Sequence, residues 1–387
     1  MMHAFNRVKH EYQLMLLDPW LRALVLWLPI ALFLLMTAIF SSGIARDLPI
    51  AVVDLDHSRL SRTLIRNYDA SPSLMVSDQP ISIRSGSQQL RNGNTYALAV
   101  IPANFEKETL LGHSPTVTVF YNTQFVLIGK LINSAIQQAQ GTLAATVDTV
   151  KNMSTGNPTP SQALGLAVPI DNQITPLFNS NSHYGQFLVS AALPALWQVF
   201  IVVTTILAIA QESRQAGVAR WLSSQPLTNL LLKLLPYTLI FWLHGTLFLW
   251  LLYGFFAWPM HGSWAILLAA QLLMVFACQA VACLLFFVTL DATRAMSLAA
   301  ALTAPAFAFM GITFPATDMP LLATLWRSLL PVSHYIELQV QQVNYGASLV
   351  LAVPQLLSLL CFLVVMPIVY LKMSRLSLTA TSQADSQ

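Results

Sequence analysis

Two carboxylates and an imidazole lie close together in the sequence at Asp54, Asp56 and His57. Oxygen and nitrogen groups at this spacing suit a divalent metal or general acid–base chemistry. The group ends the apolar run 49–54, which is typical of a buried strand, and precedes a predicted helix. At such a turn, Asp56 or Ser58 can instead cap the helix. We predict the capping role, because no second ligand set with metal-site spacing occurs elsewhere in the sequence.

The other residues that could do chemistry form no known catalytic motif. The eight His residues are dispersed, and no H-E-x-x-H, G-x-S-x-G or C-x-x-C motif occurs. His334 and Glu337 share one predicted helical face, which alone is weak evidence for a site. Gly129-Lys130-Leu131 lacks the first Gly and the hydroxyl of a phosphate-binding loop. The sequence therefore predicts no enzyme, no metal site and no ATP site of its own.

Six long stretches contain no Lys, Arg, Asp or Glu residue. These stretches are 23–41, 184–210, 234–257, 264–290, 295–312 and 347–371. A helix needs roughly 20 apolar residues to cross a bilayer. The sequence thus predicts an α-helical polytopic membrane protein with six transmembrane helices. A cleaved signal peptide is the alternative for the first stretch, and we favour a retained helix because the apolar run exceeds the usual range of roughly 7–15 residues.

Composition agrees with a membrane protein. The chain is 56% hydrophobic and 9% charged, against roughly 25% charged in soluble proteins. Its net charge of +3 is small and scattered, which argues against nucleic-acid binding. Cys278, Cys283 and Cys361 all fall in predicted spans, where we expect small buried hydrophobic residues rather than disulfides.

Residues 42–183 have a different pattern, with short apolar runs separated by polar helical stretches. Strands are predicted at 49–54, 73–77, 96–101 and 116–121, and helices at 58–69, 84–92 and 103–111. A longer helix over 124–153 carries one apolar stripe, which we expect to pack on its own sheet. Alternating strands and helices predict a small α/β extracytoplasmic domain inserted after the first transmembrane helix.

Basic residues of the short loops predict the topology. They are Arg7, Lys9, Arg22, Arg214, Arg220, Lys233, Arg294, Lys372 and Arg375. Both termini are then cytoplasmic, whereas 42–183 and the loop 313–346 lie outside. The predicted regions are 1–41 for an interface helix with the first span, 42–183 for the outer domain, 184–371 for the remaining spans and 372–387 for a cytoplasmic tail. The interface helix, over 3–18, alternates apolar residues with charged ones such as Glu11.

The loop after the second span, 211–228, predicts a short amphipathic helix that Pro226 breaks. It contains an acidic residue, a Gly, a Leu and a Pro, with a Lys before the next span, at Glu212, Gly217, Leu222, Pro226 and Lys233. This pattern resembles the inner loop of the ABC-2 type permeases, the membrane subunits of ATP-driven exporters. The runs 53–58, 99–105 and 311–320 resemble the branch with a large outer domain, which includes bacterial multidrug-export permeases.

The resemblance implies that 211–228 is a coupling segment that inserts into a cytosolic ABC ATPase. Its contact residues would be Glu212, Arg214, Gly217, Arg220, Leu222 and Pro226. It further implies export across the bacterial inner membrane by a dimer of this chain with a second copy or a homologue. No cofactor is expected to bind the chain directly, because the partner subunit would use the ATP.

Charge-free spans fit a lipophilic or amphiphilic substrate, such as a drug-like compound, a lipid or a hydrophobic peptide. They disfavour a secondary transporter, whose coupled ions need charged groups in the membrane. Gln186, Gln198 and His244 are the polar residues predicted for the substrate route. The region 313–346 would form short helices in the outer interface. The outer domain would gate the exit, dock a periplasmic membrane-fusion adaptor or brace the dimer, and a membrane-anchored receptor or scaffold stays open as an alternative.

Overall fold

The computed structural model describes residues 2–41, 43–156, 159–168, 177–179, 183–215, 217–222 and 225–384. The chain divides into two compact units. The membrane unit comprises Met1–Gly43 and Pro176–Gln387, and the α/β unit comprises Ile44–Thr175. Residues 177–179 and 183, which the sequence placed in the outer domain, therefore group with the membrane unit.

Helices make up most of the described chain. In chain order they are α1 (Met2–Leu17), α2 (Pro19–Ile39), α3 (Arg59–Asp69), α4 (Ile83–Arg91), α5 (Phe105–Leu111), α6 (Val126–Gly156), α7 (Pro160–Ala167), α8 (Tyr184–Gln215), α9 (Val218–Trp221), α10 (Pro226–Leu249), α11 (Trp264–Thr289), α12 (Ala292–Thr303), α13 (Ala306–Phe309), α14 (Leu321–Ser328), α15 (Pro331–Val343), α16 (Leu349–Cys361) and α17 (Met366–Ala384). A π-helical turn at Ala23–Trp27 interrupts α2, and another at Trp250–Phe255 extends α10. A 3-10 turn at Phe362–Val365 joins α16 to α17.

The α/β unit is built on a mixed sheet. Its strands are β1 (Leu48–Asp54), β2 (Leu74–Asp78), β3 (Ala97–Ile101) and β4 (Thr118–Tyr121), in the spatial order β2-β1-β3-β4. β1 is parallel to β2 and β3, and β4 is antiparallel to β3. Parallel neighbours need a crossover connection, which α3 and α4 supply.

Each face of this sheet has its own apolar core. On one face, Ile50 and Val52 pack with Leu64 of α3 and with Ile132 of α6. On the other face, Val53 and its neighbours pack against α4. The buried positions of α6 recur at three and four residues, so its apolar stripe packs within the α/β unit.

Five helical stretches of the described chain are long and apolar enough to cross a membrane. They are Pro19–Ile39, Tyr184–Arg214, Pro226–Phe255, Trp264–Thr289 and Leu349–Leu378. These helices confirm the prediction of a helical membrane protein. They lie at five of the six charge-free stretches.

The sixth charge-free stretch, 295–312, is not one long helix. It is divided between α12, which has 12 residues, and the short helix α13. A helix of 12 residues is only about 18 Å long, against a hydrocarbon core of about 30 Å. Pro305 lies at the break. Proline lacks the N–H that would continue the hydrogen bonding of the helix.

The region 313–346 is less peripheral than the sequence suggested. It holds a 3-10 turn at Ala316–Asp318 and the helices α14 and α15. α14 exposes Leu321 and Leu322, as expected for an interface. α15 instead buries Val332 and Leu338 in the core of the membrane unit, where it packs against α8, α11 and α16.

Pro194 interrupts the hydrogen bonding of α8. A proline in mid-helix leaves the carbonyl four residues earlier without its N–H donor, and here that carbonyl belongs to Ser190. The Gln339 side chain supplies the missing donor, with Nε2 2.9 Å from Ser190 O. The same Nε2 lies 3.3 Å from the Tyr253 hydroxyl. Gln339 therefore fastens α15 to the interrupted turn of α8.

The three cysteines differ in exposure. Cys278 and Cys283 are fully buried in α11, as predicted. Cys361 is exposed at the end of α16, so the expectation of three buried thiols is wrong for this residue. The span that contains it is the least buried of the five, with 11% of its most apolar window inside the protein.

Candidate functional site

The elbow segment, residues 211–228, connects α8 to α10. Glu212 lies near the end of α8, and Gly217 directly precedes the four-residue helix α9. Gly217 has a φ of +75°, a left-handed conformation that glycine adopts without the penalty of a side chain. Pro226 is the first residue of α10, where its fixed φ and missing N–H suit a helix start.

Lys233 lies between two carboxylates. Its Nζ is 2.8 and 2.7 Å from Oε1 and Oε2 of Glu11 and 3.0 Å from Oε1 of Glu212. The Tyr237 hydroxyl donates to Glu11 Oε1 at 2.8 Å. We call these four residues the Lys233 cluster. It ties α1, the end of α8 and the start of α10 to one another.

Burial makes the Lys233 cluster energetically important. Glu11 and Lys233 are each 4% exposed, and Tyr237 is fully buried. Removing ions from water costs several kcal/mol each, so buried charges persist only where they are paired and hydrogen-bonded. The sequence placed Glu11 on an interface helix without predicting a partner for it, and the structure buries it against Lys233. Its pairing could have been suspected, because Lys233 begins an otherwise charge-free run and needs a partner.

Two further contacts hold the elbow segment. Leu222 is fully buried, and it packs in the core of the membrane unit with residues of the surrounding helices. Asn229 Nδ2 donates to the Trp221 carbonyl at 2.7 Å, so α10 also grips the end of α9. A cleft of about 180 Å³ opens here, lined by His10, Glu11, Glu212, Trp221, Asn229, Leu232 and Lys233. The described part of the elbow segment is therefore anchored at Trp221 and Leu222, with a cleft beside it.

The structure brings together only some of the residues predicted for the coupling segment. Glu212 and Leu222 are bound into the protein, whereas Arg214 is exposed. The Arg220 side chain, like residues 216 and 223–224, lies outside the described residues. Glu11, Tyr237 and Asn229 belong to the same site but were not predicted.

The three residues predicted for the substrate route do not form one site. Gln186 is half-buried near the start of α8, and Gln198 is about 18 Å further along the same helix by its rise per residue. Gln198 Oε1 accepts from Val332 N at 3.0 Å and so caps the first turn of α15. His244 is buried on α10 between Phe241 and Phe248, with ring centroids 6.1 Å away on either side.

Gln186 lines a separate cleft of about 240 Å³, which we call the outer cleft after the side on which the predicted topology would place it. We define this outer cleft by its lining residues, which are Phe178, Asn179, Gln186, Phe187, Ser190, Tyr253, Trp258, Pro259, Gly311, Ile312, Gln339, Val340, Val343, Asn344 and Tyr345. Its floor is the place where Gln339 meets Ser190 and Tyr253. Gln339 itself is 3% exposed.

Asp54, Asp56 and His57 serve local structure. Asp54 accepts hydrogen bonds from the backbone N–H groups of Asp56 and His57 and from the Ser61 hydroxyl. Ser58 caps α3 by accepting from Ser61 N. The described residues contain no group of three or more His, Cys, Asp or Glu positioned for a metal ion.

Asp56 has a capping role at a different helix. Its Oδ2 accepts from Glu106 N at 3.0 Å, at the start of α5. Burial opposes ionisation of this carboxyl, but hydrogen bonds from the Ser58 side chain and from backbone N–H groups at Glu106, Phe105 and Asn104 outweigh it and lower the pKa of Asp56. The ionised form is the one that caps.

His334 and Glu337 do not act as a pair. His334 contacts Gln355 Oε1 through Nδ1 at 3.2 Å and the Ser328 carbonyl through Nε2 at 3.1 Å. Glu337 accepts from Arg327 at 2.8 Å. Both side chains hold α15 to its neighbours.

Comparison with known proteins gives one family. No curated protein and no solved structure matches the chain. The family model described as ABC-2 family transporter protein matches residues 19–372, which covers both units and nearly the whole chain. This match confirms the resemblance noted at the elbow segment, and the chain belongs to the ABC-2 family of transporter proteins.

Proposed function

We propose that this ABC-2 family protein is the permease subunit of an exporter that moves a lipophilic or amphiphilic compound outward, powered by a separate cytosolic ATPase. Family membership carries the role of a membrane transport component with a partner ATPase. The direction, the substrate class and a dimeric permease are our inferences. Long spans without charged residues support a lipophilic or amphiphilic substrate.

We assign the elbow segment to the ATPase contact. The observation that carries this assignment is the Lys233 cluster, which links Glu212 of the elbow to α10 and to α1. A force applied to α9 would reach α10 through the hydrogen bond between Trp221 and Asn229, and a force applied at Glu212 would reach α10 and α1 through Lys233. The cleft of about 180 Å³ beside Glu212 offers space for a side chain of the ATPase. Because these residues are anchored, a displacement of the elbow by the ATPase would move α10 and α1.

Gly217→Pro tests the assignment. Proline cannot adopt a φ of +75°, so α9 should lose its place while the Lys233 cluster keeps its partners. We expect recovery of the co-purifying ATPase, and ATP-dependent uptake of a lipophilic dye by inside-out vesicles, to fall at least ~10-fold, which is about 1.4 kcal/mol of contact free energy. The amount of permease in the membrane should stay unchanged.

Gly93→Pro is the matched control. Gly93 has a φ of +76°, and a side chain there, as at Gly217, would meet open space, but it lies in the α/β unit. This variant should keep both the ATPase and transport. Full recovery of the ATPase with Gly217→Pro would contradict our placement of the contact.

One observation favours a second candidate function, a membrane-anchored receptor. The α/β unit has its own cleft of about 320 Å³, floored by Leu64, Phe105 and Leu143 and edged by Asp148 and Lys151. This volume is within the range of small-molecule sites. A receptor would purify without an ATPase, so co-purification separates the two functions.

A further inference from the structure

The outer cleft presents polar groups that the protein itself does not use. Among the described residues, no hydrogen-bond partner reaches the side-chain amides of Gln186 and Asn344 or the Oε1 atom of Gln339. Gln339 is 3% exposed, so it is 97% buried. Its Nε2 already donates to the Ser190 carbonyl and lies near the Tyr253 hydroxyl. Its Oε1 is not one of the fully enclosed, unpartnered atoms of the described residues, so this acceptor reaches the surface of the cleft. Such an atom next to a cavity marks a place for a ligand or water.

We propose that the outer cleft binds the head group of an uncharged amphiphile that carries hydroxyl or amide groups. The site follows from the geometry alone, whereas identification of the bound amphiphile with the exported substrate rests on the proposed function. Gln339 Oε1 accepts a hydrogen bond from the head group. The amides of Gln186 and Asn344 each offer one acceptor and two donor hydrogens from opposite walls, α8 and the end of α15.

Charge sets the selectivity of the site. The described lining residues include no Asp, Glu, Lys, Arg or His. The Arg327 guanidinium approaches Gly311 but is paired with Glu337 at 2.8 Å. A charged head group would lose its hydration without gaining a counter-charge, which is costly in a partly dry site. Hydroxyl and amide groups would exchange water for carboxamide partners at little cost.

Size restricts the occupant to a head group. The outer cleft holds about 240 Å³, less than the roughly 300–1,000 Å³ of sites that enclose a drug-sized ligand. Phe178, Phe187 and Tyr345 stand at its rim with 45%, 42% and 59% of their surface exposed. Aromatic side chains suit a boundary where one end of a ligand is wet and the other apolar. The alkyl part would lie along these rings, outside the cleft.

A second, smaller cavity lies behind Gln339. It holds about 20 Å³ and shares Ser190 and Gln339 with the outer cleft. Trp197 Nε1, a donor, and Gln271 Oε1, an acceptor, are buried on its wall without partners among the described atoms. This volume accommodates one water molecule, which needs polar partners of these two kinds.

Photolabelling of the full-length protein in nanodiscs tests the site. The probe is octyl glucoside with a diazirine in its alkyl chain, compared with the same chain bearing a sulfate or a trimethylammonium group. We expect the glucoside probe to label peptides that contain Phe187 or Tyr345 saturably, and the two charged probes to label them at least ~10-fold less. Equal labelling by a charged probe would overturn the proposal.

The double variant Gln186→Leu with Asn344→Leu removes two free amides without touching the contact between Gln339 and Ser190. Loss of about 1.4 kcal/mol of hydrogen bonding should weaken glucoside labelling about 10-fold. Gln341→Leu is the matched control, because it makes the same replacement on α15 at a position that does not line the outer cleft. Unchanged labelling in the double variant, or an equal loss in the control, would overturn the site.

Two further arms separate the possible sources and failures. If glucosyl diacylglycerol added to the nanodisc reduces glucoside labelling, the occupant is a membrane lipid. If only soluble glucosides reduce the labelling, the occupant is a small exported amphiphile. Either result supports the site. Glucoside labelling without any ATP-dependent transport would contradict the proposed function but support the site. ATP-dependent transport without glucoside labelling would contradict the site but support the proposed function.

Discussion

Lys233 holds together α1, the end of α8 and the start of α10. It is the partner of two carboxylates from different helices, and both Lys233 and Glu11 are almost inaccessible to solvent. Replacing a buried ion pair by apolar residues can be neutral, whereas removing one member leaves a charge in a medium that solvates it poorly. The two cases give different experimental signatures.

We predict that Lys233→Met destabilises the protein by about 3–5 kcal/mol, because Glu11 remains buried without its cation. The double variant Glu11→Gln with Lys233→Met should recover most of that loss. Thermal unfolding in nanodiscs, followed by tryptophan fluorescence, measures both. A double variant as unstable as Lys233→Met alone would show that the charge of Glu11 is not the cause.

Asp56 gives a prediction on pH. Its pKa is lowered in the folded protein, because hydrogen bonds to the ionised carboxyl outweigh the effect of burial. A lowered pKa adds stability above the unfolded value of about 3.9, and this stability disappears as the pH falls through the folded value. The start of α5 should therefore open in acid below about pH 4.

Hydrogen exchange at the amides of α5, corrected for intrinsic rates, measures this opening. Asp56→Asn keeps an acceptor but has no charge to titrate, so its exchange should be faster near neutral pH and should lack the acid-dependent increase. Asp78→Asn, at the end of β2, is the control. The same acid response in Asp56→Asn and in the unaltered protein would exclude Asp56 as the titrating group.

At the scale of elements, the interrupted turn of α8 is joined to α15 by one side chain. Pro194 frees the Ser190 carbonyl, and Gln339 satisfies it. The two residues should therefore be coupled energetically, although they lie on different helices. A double-mutant cycle isolates such a coupling.

We predict that Gln339→Leu alone costs about 1–3 kcal/mol, because the half-buried Ser190 carbonyl loses its donor. In a Pro194→Ala background the helix supplies its own N–H, and the same change should cost less than about 1 kcal/mol. Chemical denaturation of all four proteins measures the cycle. Equal costs in the two backgrounds would refute the coupling.

Local patterns predicted most of the elements. The runs 96–101 and 116–121 predicted strands that the structure has at Ala97–Ile101 and Thr118–Tyr121. The stretch 295–312 was predicted to be one long helix, because it is apolar and free of charged residues. That criterion ignores the break at Pro305. Glu11 was missed for a different reason. Its partner Lys233 is 222 residues away in the sequence, and no local period reports a contact of that kind.

For the whole molecule, the number of crossings decides where each unit lies. Five helices meet the length and hydropathy expected of a span. We propose that α12 and α13 together make a sixth crossing, since an even number returns both basic ends to the cytoplasm. The packing of α12 against α8 and α11 supports this proposal, because it places α12 among the spans.

Reporter fusions test this topology. Alkaline phosphatase joined after residue 100 or residue 320 should be active outside, and after residue 220 it should be inactive. The control is a fluorescent protein at the same positions, which should give the opposite pattern. Activity after residue 100 but not after residue 320 would mean that α12 and α13 do not cross.

Cys361 allows distance measurements by spin labelling without any engineered cysteine. Its thiol is exposed, whereas Cys278 and Cys283 are sealed inside α11. A membrane-soluble nitroxide reagent should consequently attach once per chain, with no engineered background. If two chains assemble, pulsed electron paramagnetic resonance would give one distance between the two spin labels. A change of that distance upon nucleotide hydrolysis by the partner subunit would report the movement of the last span.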